Sequence, residues 1–137
     1  MINLIIFSIA FSSFFCSLLL LMSYRSGWSE LAQLYKTNQH PPVMLFNDQG
    51  GEIGGCAFKK ALTIGVSRQG LYLSNFYNFF NMPPLLIPWD AVTHVRPDND
   101  ILWGEAYQLD IGTPTINTLI LPKAALLSAQ TILIAKQ

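Results

Sequence analysis

Apolar and polar positions fall along this chain in three successive rhythms. From Ile2 to Met22 there is no charged residue, and the polar groups are Asn3, Ser8, Ser12, Ser13 and Ser17, whose hydroxyls can bond back to helix carbonyls. As a helix this run spans ~31 Å at ~1.5 Å per residue, the thickness of a bilayer core, so it predicts a transmembrane helix over 1–23. A cleaved signal peptide would need a basic stretch ahead of the apolar run, and MINLIIF holds no Lys or Arg. A lipoprotein would need small residues before Cys16, where Ser13-Phe14-Phe15 stand. A buried helix of a soluble domain is disfavoured by apolarity on every side.

The second rhythm is helical and short. In Trp28 to Thr37, residues Trp28, Leu31, Leu34 and Tyr35 recur at one-face spacing, which predicts an amphipathic connector over 24–40. His40-Pro41-Pro42 ends it, since proline donates no hydrogen bond and restricts the residue before it. The third rhythm is β. Val43 to Phe46 reads as a strand, Asp48 to Gly51 as a turn, and Glu52 to Lys59 as a weaker strand. Leu62 to Ser67 and Leu71 to Ser74 form a hairpin around Arg68-Gln69-Gly70. Leu85 to Trp89 and Ala91 to Val95 follow, with prolines that suggest an edge or a bulge. Pro97 to Asp100 reads as a turn, then Ile101 to Ile111 and Thr115 to Leu121 as strands. Pro122 opens an apolar C-terminal helix to Lys136, with Ala125, Leu126, Ala129, Ile132 and Leu133 on one face. The fold class expected is α+β, mainly β: an N-terminal transmembrane helix, then a seven-stranded β-barrel or sandwich capped by a C-terminal α-helix over 41–137.

Composition agrees with an apolar contact somewhere. Hydrophobic residues make up 51% of the 137 and charged residues 12%, about half the usual charged share. Eight Lys and Arg balance eight Asp and Glu, so no basic footprint for nucleic acid is present. No Lys or Arg precedes the first helix, whereas Arg25 and Lys36 follow it. The positive-inside rule therefore places the domain in the cytoplasm, on a bacterial inner membrane crossed once.

Lipid contact is expected from Ile2, Leu4, Ile5, Phe7, Phe11, Phe14, Phe15, Leu18, Leu19, Leu20 and Leu21. Tyr24, Arg25 and Trp28 stand at headgroup depth, a position equally suited to packing against the domain.

The segment Leu62 to Ser67, through Gly70-Leu71-Tyr72-Leu73-Ser74, to Leu86-Ile87-Pro88-Trp89-Asp90-Ala91-Val92 resembles the GRAM and bacterial pleckstrin-homology-like (PH-like) pattern. Seven strands and one C-terminal helix follow the order of that superfold. The whole is also similar to small bacterial membrane proteins with an N-terminal helix and a Gly-Trp pair, here Gly27-Trp28. The resemblance implies a binding or scaffolding module rather than an enzyme. PH-like domains that hold phosphoinositides carry several basic residues in the first hairpin. The corresponding turn here has Asp48 and Glu52, with Lys59-Lys60 as the adjacent basic pair.

Catalytic chemistry finds little support. His40 and His94 have no Cys or Asp at ligand or triad spacing. The glycines of 50–55 lack the Lys-Ser/Thr ending of a phosphate loop. Asp98 and Asp100 suit a turn better than a cation site. Neither a cofactor nor a small-molecule substrate is expected. Phe76, Tyr77, Phe79, Phe80 and Met82 are more aromatic and Met side chains than one connection can bury, and such residues favour interface cores. They could instead close the barrel or dip into lipid. Leu127 and Ile134 fall off the core face of the last helix. Together these features predict a membrane-anchored accessory or scaffold subunit whose domain docks on a larger membrane protein complex, with a lipid-binding module and a small enzyme as alternatives.

Overall fold

The computed structural model describes residues 2–38, 45–75, 82–100 and 104–137, leaving out the side chains of 19, 20, 22, 23 and 100. A first helix, α1 (Ile2–Arg25), leads into a short second helix, α2 (Trp28–Tyr35). Seven strands follow: β1 (Leu45–Ile53), β2 (Cys56–Val66), β3 (Gly70–Asn75), β4 (Leu85–Pro88), β5 (Val92–Asp100), β6 (Gly104–Ile111) and β7 (Asn117–Pro122). A 3-10 segment, Lys123–Ala129, and a last helix, α3 (Gln130–Ala135), end the chain.

The strands make one antiparallel curled sheet in the order β4-β3-β2-β1-β7-β6-β5. Only Glu52 and Ile53 of β1 pair with β7, at Ile120 and Leu119, so the sheet opens beyond that contact. The C-terminal segment packs there against β2, β6 and β7. Its buried Ala125, Leu126, Ala129 and Leu133 join Phe58, Leu62, Ile64, Leu73, Leu109 and Leu121 in a continuous core. Burying each of these larger side chains favours folding by ~1.5–3 kcal/mol.

The transmembrane expectation for 1–23 is corrected. Among the described residues no helix is long and apolar enough to cross a membrane. The backbone of α1 is helical over Ile2–Arg25. The single-pass topology and the inner-membrane placement with a cytoplasmic domain lose their basis with it. So does the assignment of Ile2, Leu4, Ile5, Phe7, Phe11, Phe14, Phe15, Leu18 and Leu21 as a bilayer anchor; the side chains of Leu19 and Leu20 lie outside the described residues.

Several strand boundaries also differ from the sequence expectation. Asp48 to Gly51 lies inside β1, not at a turn. The reversal falls at Gly54-Gly55, where both residues take positive φ, 58° and 83°, between the paired Ile53 and Cys56. Two consecutive positive-φ residues match the twist of a two-residue hairpin, which residues with a Cβ resist. Of the segments expected over 52–59 and 62–67, Glu52 and Ile53 end β1, and the rest from Cys56 to Val66 forms one strand, β2, with a register shift opposite Gln49 and Gly51. A bulge of this kind interrupts the alternation from which strand limits are read.

Pro97 lies within β5, paired with Tyr107, although a turn is expected over 97–100. β5 ends the sheet, and the Val95 N–H donates to the Lys136 carbonyl at 3.3 Å rather than to a strand. Two residues on, Pro97 faces the same side, where a missing N–H costs no ladder bond. The continuous helix expected from Pro122 to Lys136 winds as 3-10 up to Ala129. The tighter winding stacks Leu126 and Ala129, three apart, on one buried line.

Candidate docking surface

Two helices meet the sheet at a corner formed by Ser26 and Gly27. Gly27 closes α1 with φ +76°, its N–H donating to Tyr24 at 3.2 Å, and its carbonyl accepts the first bond of α2 from Leu31 at 3.0 Å. One glycine thus serves both helix ends, because the left-handed conformation that stops one helix frees its carbonyl to begin the next. The Asn117 side-chain amide, at the start of β7, donates to the Ser26 carbonyl at 2.8 Å. The Asn117 Oδ1 accepts the Thr118 N–H at 2.7 Å. The Gly54 hairpin sits directly beneath: a Cβ there would fall 2.2 Å from the Ser26 carbonyl oxygen.

Trp28 locks the next turn. It is fully buried, its indole N–H donates to the Pro83 carbonyl at 2.8 Å, and its ring lies 6.0 Å from that of Phe58. The indole is therefore a core residue and not part of an interfacial belt. Its neighbours in that expectation differ: Tyr24 is 79% exposed, and Arg25 is exposed at the mouth of two cavities. In α2, Leu31 is buried and Tyr35 packs against the core, but Leu34 turns outward.

Against this fixed corner, α1 is bare. Its Ile2, Leu4, Ile5, Ile6, Phe7, Ile9, Phe11, Phe14, Phe15, Leu18 and Leu21 are 43–73% exposed. Apolar surface that extensive on a packed domain marks a contact with something else. At the base of α1, Leu18, Leu21 and Arg25 face Cys56 across a groove of about 320 Å3. A second, more polar cavity of about 480 Å3 lies beside it, between Arg25 and Ser26 on one wall and Glu52, Gln108, Asn117 and Thr118 on the other.

The remaining contact candidates separate. Met82 is fully buried in the core, so it is unavailable to a partner. Phe76, Tyr77, Phe79 and Phe80 lie outside the described residues, as do His40 and Ile101. Leu127 and Ile134 project from the C-terminal segment at 56% and 53% exposure.

Among the described residues, no group of three His, Cys, Asp or Glu side chains could hold a metal ion. Arg96 approaches Asp110 at 3.8 Å on the outer sheet face, and the Thr118 hydroxyl donates to the same carboxylate at 3.1 Å. With Arg96 64% exposed, that ion pair contributes ~0.2–1 kcal/mol and positions nothing for reaction.

Ser26, Gly54, Cys56 and Asn117 carry no signal along the chain. Each acquires its place only from residues distant in sequence, and a lone Asn before a strand reads as an ordinary turn former. No family model matches the sequence, no curated protein matches it, and no solved structure matches it.

Proposed function

We propose that this chain is a non-enzymatic accessory or scaffold module of PH-like architecture that attaches to a larger protein complex through α1. The observation that carries the reading is the pairing of a bare apolar helix with a corner, Ser26-Gly27, that is hydrogen-bonded to the sheet through Asn117. A helix meant for the chain's own core would turn one apolar face inward, whereas α1 offers large side chains to the outside on every side. Water is a poor neighbour for them. Covering each one stabilises the covered state by ~1.5–3 kcal/mol. The partner is accordingly a protein that presents apolar helices or an apolar groove of its own.

The PH-like part of the reading is supported by the strand order and by the C-terminal segment that packs against β2, β6 and β7. A binding role is favoured by the fixed polar wall of the Arg25 cavity, where the Asn117 side chain donates to the Ser26 carbonyl and accepts the Thr118 N–H.

The test is isolation of the tagged full-length chain in mild detergent. A partner complex should come with it in fixed stoichiometry and be lost in Ile9→Asp, which places a charge on α1 but leaves the sheet untouched. Recovery of the chain alone, or equal capture by Ile9→Asp, refutes the attachment. Flotation of the full-length chain with phosphatidylcholine vesicles, with and without anionic lipid, tests the competing lipid-binding reading, which predicts that anionic lipid alone raises binding.

A further inference from the structure

Arg25, the last residue of α1, borders two cavities that differ in kind. One is the apolar groove of about 320 Å3 that it shares with Leu18, Leu21 and Cys56. The other is the polar cavity of about 480 Å3, where Glu52 faces it from the sheet. Both volumes fall within the ~300–1,000 Å3 usual for ligand pockets. Among the described residues no ion pair joins Arg25 to Glu52.

The sheet wall is set by strand register. Glu52 of β1 pairs with Ile120 of β7, and Ile120 with Gln108 of β6. Direct partners on neighbouring strands share a face, so the three side chains form one row, ~4.8 Å from strand to strand. Glu52 and Gln108 thus flank an apolar floor. The end of the wall is fixed: Asn117 is 8% exposed, and both ends of its amide are engaged, with Ser26 and with Thr118.

The charges select what the cavity can take. A simple anion drawn to Arg25 would meet the Glu52 carboxylate, and a simple cation drawn to Glu52 would meet the guanidinium, a like-charge repulsion in either case. A ligand with both charges satisfies both walls. We infer that the two cavities together hold a short zwitterionic peptide that ends in a large apolar residue, its carboxylate on Arg25, its ammonium on Glu52 and its last side chain in the groove. An ionised carboxylate has about four acceptor sites, so Glu52 can take an ammonium while keeping another hydrogen bond. An extended dipeptide separates its termini by about 7 Å, enough to bridge charges that do not touch each other. The peptide link suits the Gln108 carboxamide, which both donates and accepts. Because the groove adjoins the cavity at Arg25, the residue that bears the carboxylate is the one whose side chain meets Leu18, Leu21 and Cys56. The site does not depend on what protein α1 attaches to, and the chain alone should bind.

Equilibrium dialysis of radiolabelled alanyl-leucine against the full-length chain in mild detergent, with empty micelles as the blank, tests the site. Retention should saturate at one peptide per chain. N-acetyl-alanyl-leucine and alanyl-leucinamide, each lacking one charge, should compete about tenfold more weakly, the loss of one charge-assisted hydrogen bond. Alanyl-serine keeps both charges but loses the apolar side chain, and should also compete about tenfold more weakly. Arg25→Gln should bind alanyl-leucine and its amide equally, and Glu52→Gln should bind alanyl-leucine and its N-acetyl form equally, since each substitution removes the partner of the charge that the cap removes. The competition series on the unaltered chain decides the matter if a variant folds poorly. Competition by either capped form, by alanyl-serine or by free leucine that equals alanyl-leucine, or no retention above the micelle blank, overturns the peptide site.

Discussion

The side-chain amide of Asn117 donates to the backbone carbonyl of Ser26 at 2.8 Å across 91 residues of sequence, and this bond joins the two helices to the sheet. Both partners are buried, at 8% and 1% exposure, so nothing but protein can satisfy that carbonyl on this side. It lies at the corner where α1 ends and α2 begins.

Asn117→Ala should therefore destabilise the fold by ~1–3 kcal/mol, because it strands the Ser26 carbonyl and the Thr118 N–H that the Asn side chain serves together. Urea unfolding followed by far-ultraviolet circular dichroism measures it. A change within ~0.5 kcal/mol, the range of ordinary surface substitutions, would contradict the anchoring role.

The hairpin below the corner offers a paired comparison. Gly54→Ala and Gly55→Ala both place a Cβ on a residue with positive φ, a backbone cost of ~1–2 kcal/mol. At Gly54 the Cβ also meets the Ser26 carbonyl, whereas at Gly55 nothing lies within 4 Å. Gly54→Ala should lower Tm clearly more than Gly55→Ala, and equal shifts would show that the corner yields freely.

Trp28 separates packing from hydrogen bonding. Trp28→Phe keeps an aromatic ring against Phe58 but loses the bond to Pro83 at 2.8 Å, so it should cost ~1–3 kcal/mol by stranding a carbonyl and shrinking the ring. Trp28→Ala should cost ~3–5 kcal/mol through the cavity it opens. Similar values for the two in equilibrium urea unfolding would place the stability in the hydrogen bond instead.

On the last segment, neighbours differ by face. Leu133→Ala should destabilise by ~2–5 kcal/mol, since Leu133 is fully buried. Leu127→Asp and Ile134→Asp, at exposed positions, should leave Tm nearly unchanged. If either abolishes capture of a partner complex, that surface belongs to the docking face as well.

Much of the sheet was legible in the pattern. The β2–β3 reversal around Arg68 to Gly70 and the strand at Leu85 are marked by local chemistry: a Gly-ended loop, alternating apolar residues and proline pairs. The strand order does not follow from such segments, because β2 reads as two of them and the β1–β7 pairing joins strands far apart in the chain. Mistaken boundaries cluster where the ladder is irregular, as at Asp48 to Gly51, where glycines serve a strand, and at Pro97, which an edge tolerates. The exposed apolar surface was half legible. Exposure of α1 follows from its all-round apolarity, and so does the outward turn of Leu127 and Ile134; the burial of Trp28 and Met82 does not follow from either residue's neighbours in sequence.

Alone, the sequence marked α1, α2 and the regular stretches of the strands and showed that α1 has no polar face to give to water, because backbone preference and periodicity are set within a few residues. Only the tertiary structure decided where α1 stops, what holds its end and which side chains stay outside. Those outcomes depend on Ser26, Gly54 and Asn117 meeting in space. A hydrogen bond to a carbonyl 91 residues away leaves no trace in the order of residues around it.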